Sequence, residues 1–233
     1  MLDCSHYQWL SFDCYGTLID WETGILGYLR PLLQSKGCAV SDAQVLTMYS
    51  EFEPQEQAGH YRSYRDVLAS VVRDFALEKH FQITDAEANG LAESIRDWQP
   101  FADTVAGLQR LHSRYKLAIL SNIDDDLFAF TAPKLEVPFY AVVTAQQVGG
   151  YKPALHNFEA LLRRCAIPHD RLLHAAESLY HDVVPAHSLG ITTVWVNRRQ
   201  GRKAAATKLV ATTPDVEVRD IAGLAELLTG PRT

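Results

Sequence analysis

Apolar positions along the chain recur at two spacings, and the change between them divides it. Trp9-Leu10-Ser11-Phe12 is a short apolar run that predicts a strand ending at Asp13, and Gly16 permits a sharp turn just beyond. From residue 24 to residue 98 the spacing is helical. Residues 24–36 place Ile25, Leu26, Leu29, Leu32 and Leu33 on one face. Ser41-Asp42 reads as the cap of a next helix. Residues 64–81 carry Val67, Leu68, Val71, Val72 and Phe75 at helical spacing, and residues 85–98 form another helix that Gln99-Pro100 breaks.

Beyond Pro100, short apolar runs alternate with amphipathic stretches. Strands are predicted at 116–120, 139–143, 171–175 and 192–196, and helices at 103–114, 155–165, 183–189 and 220–228. Such alternation with short loops implies an α/β fold whose parallel sheet is covered by helices on both faces. Ligands of such sheets bind beyond the carboxyl ends of the strands. The polar residues at those ends are Asp13, Ser121-Asn122, Glu177-Ser178 and Asn197.

Composition narrows the function classes. With 22 Lys and Arg against 28 Asp and Glu, the 233-residue chain has a formal charge of −6. That balance argues against nucleic acid as a partner but admits a small anionic substrate at a local positive site. Cys4, Cys14, Cys38 and Cys165 show neither Cys-x-x-Cys nor zinc spacing, so reduced thiols are expected. No apolar stretch is long enough to span a bilayer and no secretory signal is visible, which predicts a cytoplasmic protein without membrane contact. Monomer and homodimer both remain open.

Four clusters could carry chemistry: Asp13 to Leu18, Leu120-Ser121-Asn122, Gly149-Gly150-Tyr151-Lys152-Pro153, and Glu177 to Asp182. Each has a plainer reading alone: a turn-forming Asp, a helix cap, a solvated Lys, a pair of capping acids. As an ordered set with strand context they resemble the haloacid dehalogenase superfamily of aspartate-nucleophile hydrolases. The likeness covers the whole chain. It implies a Rossmann-like core over residues 1–17 and 100–233 and an inserted helical cap over 18–99.

Asp13 and Thr17 match the family's first motif, Ser121 the second, Lys152 the third, and Glu177 with Asp182 the fourth. The resemblance makes Asp13 the nucleophile, Lys152 its counter-ion, Asp182 the acid that orients or activates water, and Thr17 and Ser121 hydrogen-bonding partners. His181 is a second candidate base. Tyr15, Asn122, Phe158 and Ser178 fall at positions where the family contacts substrate.

Most of the superfamily are phosphatases, with a second Asp two residues after the nucleophile to protonate the leaving alkoxide. Tyr15 stands there instead. A phenol is a poor acid at neutral pH, and a departing halide needs no proton. Asp-x-Tyr-Gly-Thr-Leu, Tyr151-Lys152-Pro153 and the stretch from Thr193 to Arg198 resemble the 2-haloacid dehalogenase branch. That branch implies hydrolysis of 2-haloalkanoic acids to 2-hydroxy acids with no cofactor.

Three positions depart from it. The branch carries an Arg early in the cap, where this chain has Glu51 and Glu53, and Arg62 and Arg65 come later. Leu179 replaces an Asn of the fourth motif, and Phe158 replaces a Tyr. Glu177 is phosphatase-like. It implies either a pair with Lys152 or, with Asp13, a Mg²⁺ site in a metal-dependent phosphatase, the alternative reading. A catalytically silent binding protein on the same fold is the third.

Overall fold

The computed structural model describes residues 5–199, 201, 205–207 and 210–230. Six strands form one parallel sheet: β1 (Trp9–Phe12), β2 (Lys116–Ser121), β3 (Ala141–Thr144), β4 (Leu172–Ala176), β5 (Thr192–Val196) and β6 (Val216–Val218). Their order is β3-β2-β1-β4-β5-β6, so the chain moves outward from β1 in one direction and then in the other. The crevice at that reversal, beyond the ends of β1 and β4, is where such sheets bind ligands. All four residues of β1 and all five of β4 are buried, as expected of central strands covered on both faces.

Between β1 and the rest of the sheet lie four helices: α1 (Trp21–Ser35), α2 (Asp42–Glu56), α3 (Tyr64–Glu78) and α4 (Asp85–Ser94). Their starts follow from the sequence. Ser41 and Gln44 form a capping box at α2, Thr84 and Glu87 another at α4, and Ser63 accepts from the Asp66 N–H at α3. The helix expected over 85–98 ends at Ser94 in a single 3-10 turn, Ile95–Asp97. The Ile19–Pro100 bridge ties together the outgoing and returning chains.

The remaining helices are α5 (Thr104–His112), α6 (Asp125–Thr131), α7 (Ala145–Val148), α8 (Leu155–Cys165), α9 (Val184–Ser188) and α10 (Ile221–Thr229). The single helix expected over 183–189 is instead a π turn, Leu179–Val183, running into α9. β6 was not foreseen, because a three-residue edge strand has no room to show a period.

One cluster of apolar side chains runs from Leu10, Phe12 and Ile119 on one face of the sheet through Leu18 and Ile19 into the helical insert at Ile25, Val67, Leu68 and Phe75. Trp9, Leu120, Phe158 and Leu161 fill a second cluster on the other face. Cys14, Cys38 and Cys165 are unpaired thiols, and Cys4 lies outside the described residues. Among the described residues no helix is long and apolar enough to cross a membrane.

Candidate active site

Asp13 leaves the carboxyl end of β1, and its N–H donates to Ala175 O of β4 at 3.2 Å. Gly16 then adopts φ +95°, and a side chain there would meet the Trp21 indole at 2.8 Å, so the turn needs glycine twice over. The Asp13 carboxylate accepts from Thr17 Oγ1 at 2.8 Å and from Lys152 Nζ at 2.9 Å. Thr17 Oγ1 also accepts from Glu177 N at 2.9 Å, which couples the turn after β1 to the end of β4. Arg198, paired with Asp103 at 2.7 Å, donates to Thr17 O and holds that turn from behind.

Lys152 is 2% exposed. Its three N–H bonds go to Asp13 Oδ1 (2.9 Å), Asp182 Oδ1 (2.7 Å) and Leu120 O (2.9 Å). Burial alone would lower its pKa, but the two carboxylates outweigh burial and raise it, so the ammonium stays charged. Burial raises the Asp13 carboxyl above the ordinary value against the pull of Lys152, and the Asp182 charge adds to the rise. For Asp182 burial acts in the same sense, but Lys152 and His174 overcome it and hold that carboxyl low.

His174 lies on β4, with Nε2 2.9 Å from Asp182 Oδ1 and Nδ1 2.8 Å from Ser11 Oγ. Since an ionised Asp182 only accepts, Nε2 carries the proton. The two atoms left over are informative. Asp182 Oδ2 and Ser121 Oγ are buried without a hydrogen-bond partner, and both residues line the cavity beside Asp13. They supply one free acceptor and one free hydroxyl where a water and a substrate oxygen could be held.

The cavity is about 30 Å³, close to the volume of one water. Asp13, Tyr15, Ser121, Asn122, Lys152, Ser178, His181 and Asp182 line it from the sheet side. Trp21, Glu53 and Tyr64 line it from the helical insert. A cleft of about 400 Å³ adjoins it, sharing Lys152 and His181.

Several residues expected to touch substrate are engaged elsewhere. Both polar atoms of Asn122 clamp the Lys152 backbone: Oδ1 accepts its N–H at 2.7 Å and Nδ2 donates to its carbonyl at 3.1 Å. Phe158 is fully buried and stands edge-on to His174, 5.2 Å between centroids, so it supports the imidazole from below instead of reaching the cavity. Tyr15 Oη lies 2.8 Å from Thr131 Oγ1, and burial pushes its phenol well above the usual range. Ser178 Oγ accepts from His181 N at 3.0 Å and caps the π turn. Burial pushes the His181 imidazole down to about 4.

Glu177 does neither thing expected of it. Lys152 has no donor left to give it, and Glu177, one methylene longer than Asp, reaches the other way. Its Oε1 accepts from Arg199 Nε at 2.8 Å and its Oε2 from Thr207 Oγ1 at 3.0 Å. With both oxygens so engaged, the set does not fit a Mg²⁺ shared with Asp13. Among the described residues no group of three or more His, Cys, Asp or Glu side chains could hold a metal.

Sequence reasoning missed His174, Arg199 and Thr207, and did not see that Glu53 is buried. The signal for Glu53 was present: Val45, Tyr49 and Glu53 are four apart, and all three are buried on α2.

Residues 7–212 match the family described as haloacid dehalogenase-like hydrolase. Haloacid dehalogenase-like hydrolase domain-containing protein 3 of Danio rerio is 27% identical over 84% of this chain and 87% of its own length. (S)-2-haloacid dehalogenase 1 of Pseudomonas sp. (strain CBS-3) is 24% identical over 80% of this chain and 83% of its own. The L-2-haloacid dehalogenase of Xanthobacter autotrophicus, solved with chloropropionic acid covalently bound, superposes with a TM-score of 0.79 at 17% identity, covering 96% of this chain and 99% of that one. The parallel sheet with its strand-end acids and this match over most of the length agree: the chain belongs to the haloacid dehalogenase-like hydrolases.

Proposed function

We propose that this hydrolase cleaves the carbon–halogen bond of small 2-haloalkanoic acids through an ester on Asp13, without a metal. The observation that carries the reading is the division of labour around Lys152. Asp13 and Asp182 both line the cavity and share that one ammonium, and Asp182 keeps one buried oxygen without a hydrogen-bond partner.

In the first step an Asp13 oxygen attacks C2 and the halide leaves with the bond's electron pair, inverting the carbon. In the second, Asp182 Oδ2 takes a proton from a water as that water attacks the Asp13 carboxyl carbon. The ester C–O bond breaks with its electron pair on the alkoxide oxygen, which takes that proton back from Asp182, and the 2-hydroxy acid departs with an oxygen that began on Asp13. Ser121 Oγ is free to hold the substrate carboxylate. Tyr15 offers no acid for an alkoxide, and Glu177, committed to Arg199, offers no metal ligand; both favour a halide over a phosphate ester.

The test measures halide release from 2-chloro- and 2-bromopropionate beside phosphate release from p-nitrophenyl phosphate with and without Mg²⁺. Halide release by wild type that falls more than about a thousandfold in Asp13→Asn is expected. Phosphate release alone, or release of neither product, overturns the reading.

A further inference from the structure

Lys152 is the one cation among the described side chains lining the cavity, and it faces three acids there: Asp13, Asp182 and Glu53. The first two share its ammonium. Glu53, 4% exposed on α2, has no cationic partner among the described residues. Its Oε1 accepts from Gln57 Nε2 at 2.6 Å and from Tyr64 Oη at 3.2 Å, while no described residue hydrogen-bonds Oε2. Tyr64 Oη in turn lies 3.1 Å from Tyr49 Oη. Burial without a counter-ion drives a carboxyl group toward its neutral form, and with Oε1 taken by two neutral donors the proton of that form sits on Oε2. Glu53 as a neutral acid is therefore an Oε2–H donor in the wall of the cavity.

The position of that wall matters. Displacement at carbon expels the leaving group on the side opposite the nucleophile. Asp13 stands on the sheet side of the cavity and Glu53 on the helical side.

We propose that Glu53 is the leaving-group donor: as a neutral acid its Oε2–H hydrogen-bonds the departing halide. This rests on the dehalogenase reading. The proton stays on Glu53, and the halide keeps the electron pair of the broken bond. Burial pushes the Glu53 carboxyl up to about 7 against the Tyr64 donor, with the Asp13 charge adding to the rise and the Gln57 donor opposing it. The groups facing it are Tyr49 on its own helix, Tyr64 on α3, Tyr151 beside Lys152, and Asp13 across the cavity. Above neutral pH the donor becomes a second anion beside Asp13, and an anionic substrate is repelled.

The test is kcat/KM for halide release from 2-fluoro- and 2-bromopropionate between pH 5 and 9 in wild type, Glu53→Gln and Glu53→Leu. Wild type should lose about tenfold between pH 6 and pH 8 as the acid ionises. Glu53→Gln, a neutral donor at every pH, should show no such fall. Glu53→Leu should slow fluoride release more than bromide release by about tenfold or more, since fluoride is the stronger acceptor and poorer leaving group. A fall between pH 6 and 8 that persists in Glu53→Gln overturns the inference. So does an unchanged fluoride-to-bromide ratio in Glu53→Leu. Halide release with either of those results leaves the dehalogenase reading standing, whereas no release by wild type at any pH overturns both.

Discussion

The two walls of the cavity hold their charges in opposite ways. On the sheet side one cation serves two acids: Lys152 bridges Asp13 and Asp182, His174 and Ser11 continue the chain, and Thr17 closes it. On the helical side, among the described residues, Glu53 is supported only by neutral donors, Gln57 and Tyr64. A counter-ion keeps a buried acid ionised, whereas an acid without one is driven toward its neutral form. On the proposed reading the sheet side holds the charge used for attack and hydrolysis. The helical side is built to present a proton, and with it a preference for what leaves.

The largest break in that contrast comes from removing the shared cation. Lys152→Met leaves Asp13 and Asp182 buried together without a counter-ion, which should destabilise the fold by about 3–5 kcal/mol at pH 7. It should also abolish turnover. Both carboxyl groups would then titrate at raised values, so the lost stability should return as pH falls and they become neutral. Urea melts of wild type and variant at pH 7 and pH 4 check the sign.

A smaller effect sharpens how the two walls are held together. Asp124, 1% exposed at the start of α6, reaches into the helical insert and accepts from Tyr64 N (2.9 Å), Arg65 N (3.0 Å) and Tyr61 Oη (3.1 Å). It joins the N-terminus of α3 to the sheet. Asp124→Ala should cost about 1–2 kcal/mol, the range for a lost helix-capping acceptor. It should lower kcat and kcat/KM together, because Tyr64 and Glu53 lose their placement while Asp13 keeps its own. Thermal melts and steady-state kinetics together check this.

The sheet wall was legible in the sequence and the helical wall largely was not, for a physical reason. A parallel strand gathers its chemistry at its carboxyl end, so Asp13 and Ser121 announce themselves as polar residues following apolar runs, whereas Asp182 is assigned by the family's motif order. β1 and β5 lie where the apolar runs place them. Lys152 is recognisable only by family order, since nothing local in Gly150-Tyr151-Lys152 says that the ammonium is buried. Glu177 shows the limit most plainly: its partner Arg199 follows β5, in a loop with no period, so no spacing connects the two. Glu53 sits in a helix whose outward face is polar, and one more acid there looks solvated until α3 closes over it. Contacts between elements decide such cases, and local patterns do not carry them.

The covalent step is the account's centre, and the fate of one oxygen tests it. In a single turnover of 2-chloropropionate by excess enzyme in H₂¹⁸O, water should attack the Asp13 carboxyl carbon and not the substrate. Mass spectrometry should then find ¹⁸O in the peptide holding Asp13 and unlabelled oxygen in the first-turnover lactate. Label in that lactate, with none on Asp13, would mean that water attacks the substrate directly and that Asp13 is not the nucleophile.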